Sequence, residues 1–347
     1  MFHKVRCAGG VAVLAAVAVG ITGCGSSGSS SPSPTSSAGG SSGASGSSTG
    51  TASQTSRQGG HLIAYLQPLA ADPSVQAVAA GLMCEAKKTG DTIRLFDAGF
   101  DQNTQISQFN TALAEGAKGI ISHPVNAAAV SPLYSKAAAQ HVPVVQYPYP
   151  SSPKDSFAVN GDPSDTAQVT IKAIQQQFPH GAKVVMIDGP PTVAGVLPRQ
   201  NAFIASAKAA GIPIVGTQTS LTLAASDVNQ KTSSLLLHYP DANVIWAITA
   251  ATAGAAGQTA QSQHKALGTK LITIGAGASS AVAADVRQGT LTDMIEVANY
   301  PEGEAMVSAM DQLIAGKTNP TVSTEHATDY TKANISSWVP PQQRCKS

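Results

Sequence analysis

GAKGIISHPVNAAAVSPLYSKAAAQHVPVV occupies residues 116–145, and the order of residue types in it decides the fold. An apolar run, GIISHP (119–124), stops at a proline. A helical stretch follows, and a second apolar run, VPVVQYP (142–148), closes the unit. Short runs that are apolar at every position suit strands buried on both faces. Strand, helix and strand in this order are the building unit of a parallel sheet.

Working outward, the same rhythm recurs. The further runs are LIAYL (62–66), TIRLFDAG (92–99), KVVMIDGP (183–190), IPIVGTQ (212–218), NVIWAIT (243–249), KLITIGAG (270–277) and DMIEVANY (293–300). Helical faces lie between them: Ile106, Phe109 and Leu113; Val169, Ala173 and Ile174 after Asp162; Phe203, Ala207 and Ala210 after Arg199. Trp246 sits inside an apolar run and is assigned to the core. The expectation is an α/β fold of doubly wound parallel sheets. One wide sheet is the competing arrangement. Against it stands YPSSPKDSFAVNGDP (149–163), where prolines and a short extra strand break the rhythm. The expected organisation is two doubly wound parallel-sheet lobes joined by hinge strands. Lobe one is 61–160 plus about 302–326, lobe two is 161–301 plus about 327–340, and 341–347 is a C-terminal tail.

The first sixty residues read differently. His3, Lys4 and Arg6 precede CAGGVAVLAAVAVGITG (7–23), which has no charge. A basic start, an apolar stretch and small residues make a secretory signal over 1–23. A membrane span needs roughly 20 strongly apolar residues, and this stretch is short and rich in Gly and Ala. Its end, Ile21-Thr22-Gly23-Cys24, resembles the lipobox of bacterial lipoproteins, which implies cleavage before Cys24 and a lipid on its sulfur. Residues 24–60 are then a lipidated cysteine and a Ser/Gly tether, with too little apolar surface to fold. A coil of about 36 such residues spans roughly 30–36 Å.

Formal net charge is +1 with no basic block, so no nucleic-acid partner is expected. Of the four cysteines, Cys7 leaves with the signal and Cys24 takes the lipid. Cys84 and Cys345 remain, either as a disulfide in an oxidising compartment or as two thiols. GxGxxG after the first strand, Walker A and GxSxG are all absent from the sequence. The eight histidines show no ligand spacing, so neither metal nor cofactor is expected. Asp188 ends an apolar run before Gly189-Pro190-Pro191, where an aspartate usually serves as a local backbone acceptor. With no nucleophile–base pair, an enzyme is not expected.

Five stretches carry a resemblance over roughly residues 61–330. They are LAADPSVQAVAAGLMCEAKKTG (69–90), the 116–145 segment, VNGDPSDTAQ (159–168), RQNAFIASAKAAGIPIVG (199–216) and ASSAVAADVRQGTLTDMIEVANYPEGEAMVSAMDQLIAGK (278–317). Together they resemble the type I periplasmic binding proteins, in the ribose-binding-like branch that serves ABC transporters. The resemblance implies a small ligand held between two lobes by hinge closure. Ligands of open α/β sheets sit beyond the carboxyl ends of the strands. Candidate ligand-binding residues in lobe one are therefore Gln67, Asp72, Asn126, Gln146, Tyr147 and Tyr149, with His123 nearby. In lobe two they are Asp162, Thr192, Arg199, Thr249, Gly277, Asn299 and Glu302, with Thr252 and Tyr300 nearby. Tyr147 and Tyr149 either stack on a flat ligand face or pack at the hinge. Asn126 either meets a hydroxyl or caps the helix after it. Arg199 either binds ligand or serves an ion pair.

The chain departs from the family where sugars are usually held. Ala202 replaces a glycine, and Leu197 stands where an arginine is usual. Thr249-Ala250 replaces Asn-Asp, Gly275-Ala276-Gly277 replaces Gly-x-Asp, and Asn126 replaces an aspartate. A charge-assisted hydrogen bond is worth roughly 1.5–3 kcal/mol. Losing about three of them rivals the roughly 8 kcal/mol of a micromolar complex. The ligand is thus sugar-like or a less polar metabolite. The expected function is a lipid-anchored, extracytoplasmic solute-binding protein, monomeric, working with an ABC permease. The alternative partner is a membrane sensor that reads the closed state.

Overall fold

The computed structural model describes residues 60–148, 156–159, 162–191, 193, 195–323 and 325–345. The signal, Cys24, all of the tether but Gly60, Tyr149 and Thr192 lie outside these residues.

In the first half of the chain, strands β1 (Leu62–Gln67), β2 (Thr92–Asp97), β3 (Gly119–Ser122), β4 (Val144–Gln146) and β5 (Phe157–Ala158) alternate with helices α1 (Pro73–Thr89), α2 (Gln102–Ala114) and α3 (Ala127–Ala139). They make a parallel sheet in the order β2-β1-β3-β4-β5. The second half contributes α4 (Pro163–Gln177), β6 (Val184–Asp188), α5 (Val196–Ala209), β7 (Ile214–Thr219), α6 (Ala225–His238), β8 (Val244–Ala247), α7 (Ala250–Ser262), β9 (Ile272–Ala276), α8 (Ser280–Gln288), β10 (Asp293–Glu296), α9 (Asn299–Ile314) and β11 (Thr328–Thr331). Its sheet runs β11-β10-β9-β8-β6-β7.

Central strands β3, β6, β8, β9 and β10 are buried at every position, and their inner positions are largely apolar, as burial on both faces requires. Helices cover both faces of each sheet. In lobe one, α2 and α3 pack on one face around Phe109 and Tyr134, and α1 and α9 on the other around Tyr65 and Met310. In lobe two, α4 and α5 sandwich Trp246, whose ring stacks on Phe203 at 4.5 Å. Helices α6, α7 and α8 cover the opposite face, together with Ile335 and Trp338 of the tail.

Two details differ from the sequence reading. β11 was not foreseen, and it pairs antiparallel with β10, so the second sheet is not wholly parallel. The run DMIEVANY is strand only to Glu296; Asn299 already begins α9. Pro301 falls in that helix's first turn, where a missing N–H costs nothing.

The chain passes between the sheets after β5, after β10 and between α9 and β11, so α9 lies on lobe one although β10 belongs to lobe two. Helices α1 and α9 meet through glycines. A Cβ on Gly303 would lie 2.3 Å from the Val78 carbonyl oxygen, and one on Gly81 would lie 2.0 Å from that of Tyr300. A disulfide joins Cys84 of α1 to Cys345, with Cα atoms 5.4 Å apart. Beside it Arg344 bonds Glu296 Oε1 at 2.6 Å and lies over the Tyr300 ring.

Candidate functional site

The carboxyl ends of both sets of parallel strands, and the helix N-termini that follow them, surround a cavity of about 430 Å³. Each lobe supplies one wall. On lobe one, Asp72 is the N-cap of α1, its Oδ1 accepting from the Ser74 and Val75 amides at 2.8 and 3.2 Å. His123 follows β3, and Tyr147 follows β4 ahead of a cis peptide to Pro148. The loop that carries His123 is held by Gln105, which is fully buried on α2. Its Nε2 donates to the His123 carbonyl at 2.9 Å, and its Oε1 accepts from the Val125 amide at 2.8 Å.

The His123 ring meets Tyr147 edge-on at 5.0 Å and its Nδ1 lies 3.2 Å from the Tyr65 hydroxyl. Loss of solvation pushes the imidazole down to about 4, against the opposing pull of Asp72, so the ring is neutral at pH 7. Tyr147 donates its hydroxyl to Glu302 Oε2 at 2.7 Å, with Asn299 Oδ1 also in reach at 2.9 Å. Both partners stand in the first turn of α9 and are buried. Burial raises the Glu302 carboxyl above its ordinary range; the Tyr147 hydrogen bond and the Arg199 charge pull the other way.

On lobe two, Asp162 caps α4 and Thr249 caps α7 in a reciprocal box with Thr252. Arg199 lies one turn into α5, its Nη1 donating to the Ile248 carbonyl at 3.2 Å. Between these polar points the wall is hydrocarbon, with Val193, Val196, Leu223, Ile248 and Val282 at the surface of the cavity.

Of the candidates read from the sequence, Asp72, Tyr147, Asp162 and Arg199 line this cavity, as do Thr249, Gly277, Asn299 and Glu302. His123 and Thr252 join them. Four others do not line it. Tyr300 lies instead under the Arg344 guanidinium beside the disulfide. Asn126 is an exposed cap of α3, its Oδ1 taken by the Ala128 and Ala129 amides and its Nδ2 donating to Gln102. Gln67 and Gln146 are the last residues of β1 and β4 and are buried. Gln146 Nε2 donates to the Ser156 hydroxyl. Asp188 accepts from the Gly189 amide at 2.8 Å and serves its own turn. Ser74, Thr166 and Ser279 line the cavity and were missed. Ser279 follows Gly277 at the end of a strand, so the strand-end rule could have found it. Among the described residues, no group of three or more His, Cys, Asp or Glu side chains is placed to hold a metal ion.

A family model described as the periplasmic binding protein domain matches residues 63–318. The chain belongs to that family. No curated relative matches it. Solved structures share the fold of this periplasmic binding protein domain at low identity. A periplasmic ribose ABC transporter structure from Conexibacter woesei DSM 14684 is 20% identical at a TM-score of 0.72, over 80% of this chain and 94% of that one. The myo-inositol binding protein of Caulobacter, bound to myo-inositol, is 21% identical at 0.66, over 83% and 98%. An ABC transporter periplasmic solute binding protein from Actinobacillus succinogenes 130z with bound D-allose is 17% identical at 0.70, over 80% and 100%.

Proposed function

We propose that this binding-protein domain captures a small solute between its lobes outside the cytoplasm and delivers it to an ABC permease. The observation that carries the reading is the cavity itself, which draws its walls from both sheets. A ligand that touches both walls favours the closed form, and that closed form is what a permease would read. The crossings after β5, after β10 and between α9 and β11 serve as the hinge. The family supports a solute-binding role, and the ribose, myo-inositol and D-allose proteins of the same fold support a compact ligand of sugar or polyol size. Asp72, Tyr147, Asn299, Glu302, Asp162 and Arg199 are the residues we assign to contact it. Cys24 is proposed as the lipid anchor, with residues 25–60 as the tether that frees the domain from the membrane surface.

A thermal-shift screen of residues 58–347 against sugars, polyols, nucleosides and apolar metabolites tests the reading. A ligand at 100 times its Kd stabilises by about 2.7 kcal/mol. The expected result is at least one compound of this size that raises the midpoint. A panel without any shift would count against a solute receptor. Incorporation of labelled lipid into the full chain, lost on Cys24→Ala, tests the anchor.

A further inference from the structure

We propose that the ligand of this cavity is an organic ammonium, a compact hydrocarbon body whose protonated amine is held by Glu302. The proposal rests on the solute-binding reading and names the chemical class.

Glu302 is 1% exposed, and its Oε1 has no hydrogen-bond partner among the described residues. Oε2 is already served by the only proton that Tyr147 can give. A buried carboxyl oxygen without a donor is costly, and the cavity it lines is where a donor can arrive. Burial raises this carboxyl, and its position opposes that: Glu302 stands in the first turn of α9, where the helix dipole favours an anion, and the Ala298 cap brings no side-chain acceptor of its own.

The rest of the lining agrees. Asp72 and Asp162 add two more carboxyls, each with one oxygen spent on a helix cap. Against these three, Arg199 is the one guanidinium among the described lining residues, and His123 is neutral at pH 7. The cavity therefore carries an excess of negative charge, which opposes an anionic ligand.

The lobe-two wall opposes a polyol. Hydroxyl-rich ligands need polar partners on each side. Here the Thr249 and Thr252 hydroxyls are engaged in their own capping box, and the Ser279 hydroxyl oxygen accepts from Val282 at 3.2 Å to cap α8. Beside Asp162 and Arg199, what that wall offers is the hydrocarbon of Val193, Val196, Leu223 and Ile248. An amine at the Glu302 end and an apolar body against lobe two satisfy both walls together.

The test is isothermal titration of the purified full chain at pH 7 with four probes built on one ring: cyclohexylmethylammonium, cyclohexylmethanol, cyclohexanecarboxylate and myo-inositol. The ammonium should bind roughly tenfold or more tighter than the alcohol, and the carboxylate should give no measurable binding. Glu302→Gln keeps an acceptor for Tyr147 and should remove the preference for the ammonium over the alcohol, whatever the affinity common to both. If the alcohol or the carboxylate binds as tightly as the ammonium, or if the preference survives in Glu302→Gln, the assignment is overturned. Binding of myo-inositol alone overturns the ammonium and leaves the solute receptor standing. Silence from all four also overturns the ammonium, and the wider screen then decides the receptor reading separately. Should Glu302→Gln fail to fold, the ranking in the unaltered protein decides the question by itself.

Discussion

Replacing the Cys84–Cys345 disulfide with Cys84→Ala and Cys345→Ser isolates the contribution of one covalent bond. The two cysteines stand 261 residues apart, so the bond closes nearly the whole folded chain into a loop. The chain-entropy relation for a loop of that length gives roughly 19 cal/mol/K, or about 5.6 kcal/mol at 25 °C, as the constraint on the unfolded state. Native disulfides deliver less than this ceiling when removed, about 2–5 kcal/mol. On a domain of this size that corresponds to a midpoint lower by roughly 5–15 °C. The assay is urea unfolding followed by circular dichroism, with the unaltered protein, the double variant and the unaltered protein under reductant side by side. The variant and the reduced protein should unfold at the same lower urea concentration. They should also show a steeper dependence on urea, because an uncrosslinked unfolded chain exposes more surface. If all three unfold together with one slope, the bond does not constrain the unfolded state and the reasoning fails.

Gly303→Ala should destabilise by about 1–3 kcal/mol, since its Cβ must displace the Val78 carbonyl where α1 and α9 touch; urea midpoints measure it. Tyr147→Phe removes the donor to Glu302 and should cost about 1–3 kcal/mol, with weaker ligand binding by calorimetry. Asp329 is pushed up to about 7 by burial and by the Asp293 charge beside it on the β10–β11 pair. The folded state therefore holds a proton that the unfolded chain releases near its ordinary carboxyl range. Stability should fall as pH rises from about 4 to 7, and Asp329→Asn should flatten that fall in unfolding measured at pH 5 and 8. Gln105→Ala frees the loop that carries His123, and should weaken ligand binding together with a modest loss of stability.

The central parallel strands were legible because they are buried on both faces and largely apolar, and such runs are conspicuous in a chain with so few aromatics and charges. β11 was not, because TDYT is a short, partly exposed edge whose pairing depends on β10 arriving beside it. The polar rim of the cavity was legible through one rule, that ligands sit beyond strand carboxyl ends, and the rule located Asp72, Tyr147, Asp162, Thr249 and Asn299. Gln67 and Gln146 satisfy the same rule, yet they are buried at their strand ends and do not line the cavity. Asn126 answered to a local demand, the bare amides at the start of α3, that competes for the same residue type. The hydrocarbon wall could not be read at all. Val193, Leu223, Ile248 and Val282 come from separate elements and converge only once lobe two has folded.

The tail has a topological result. Every crossing between the sheets lies inside the stretch bounded by Cys84 and Cys345, so from one sulfur to the other the backbone is a closed ring. A single protease cut anywhere along that ring would open it without shedding a fragment. The nicked protein would still run as one molecule on a non-reducing gel, and would separate into its pieces only when a thiol was added.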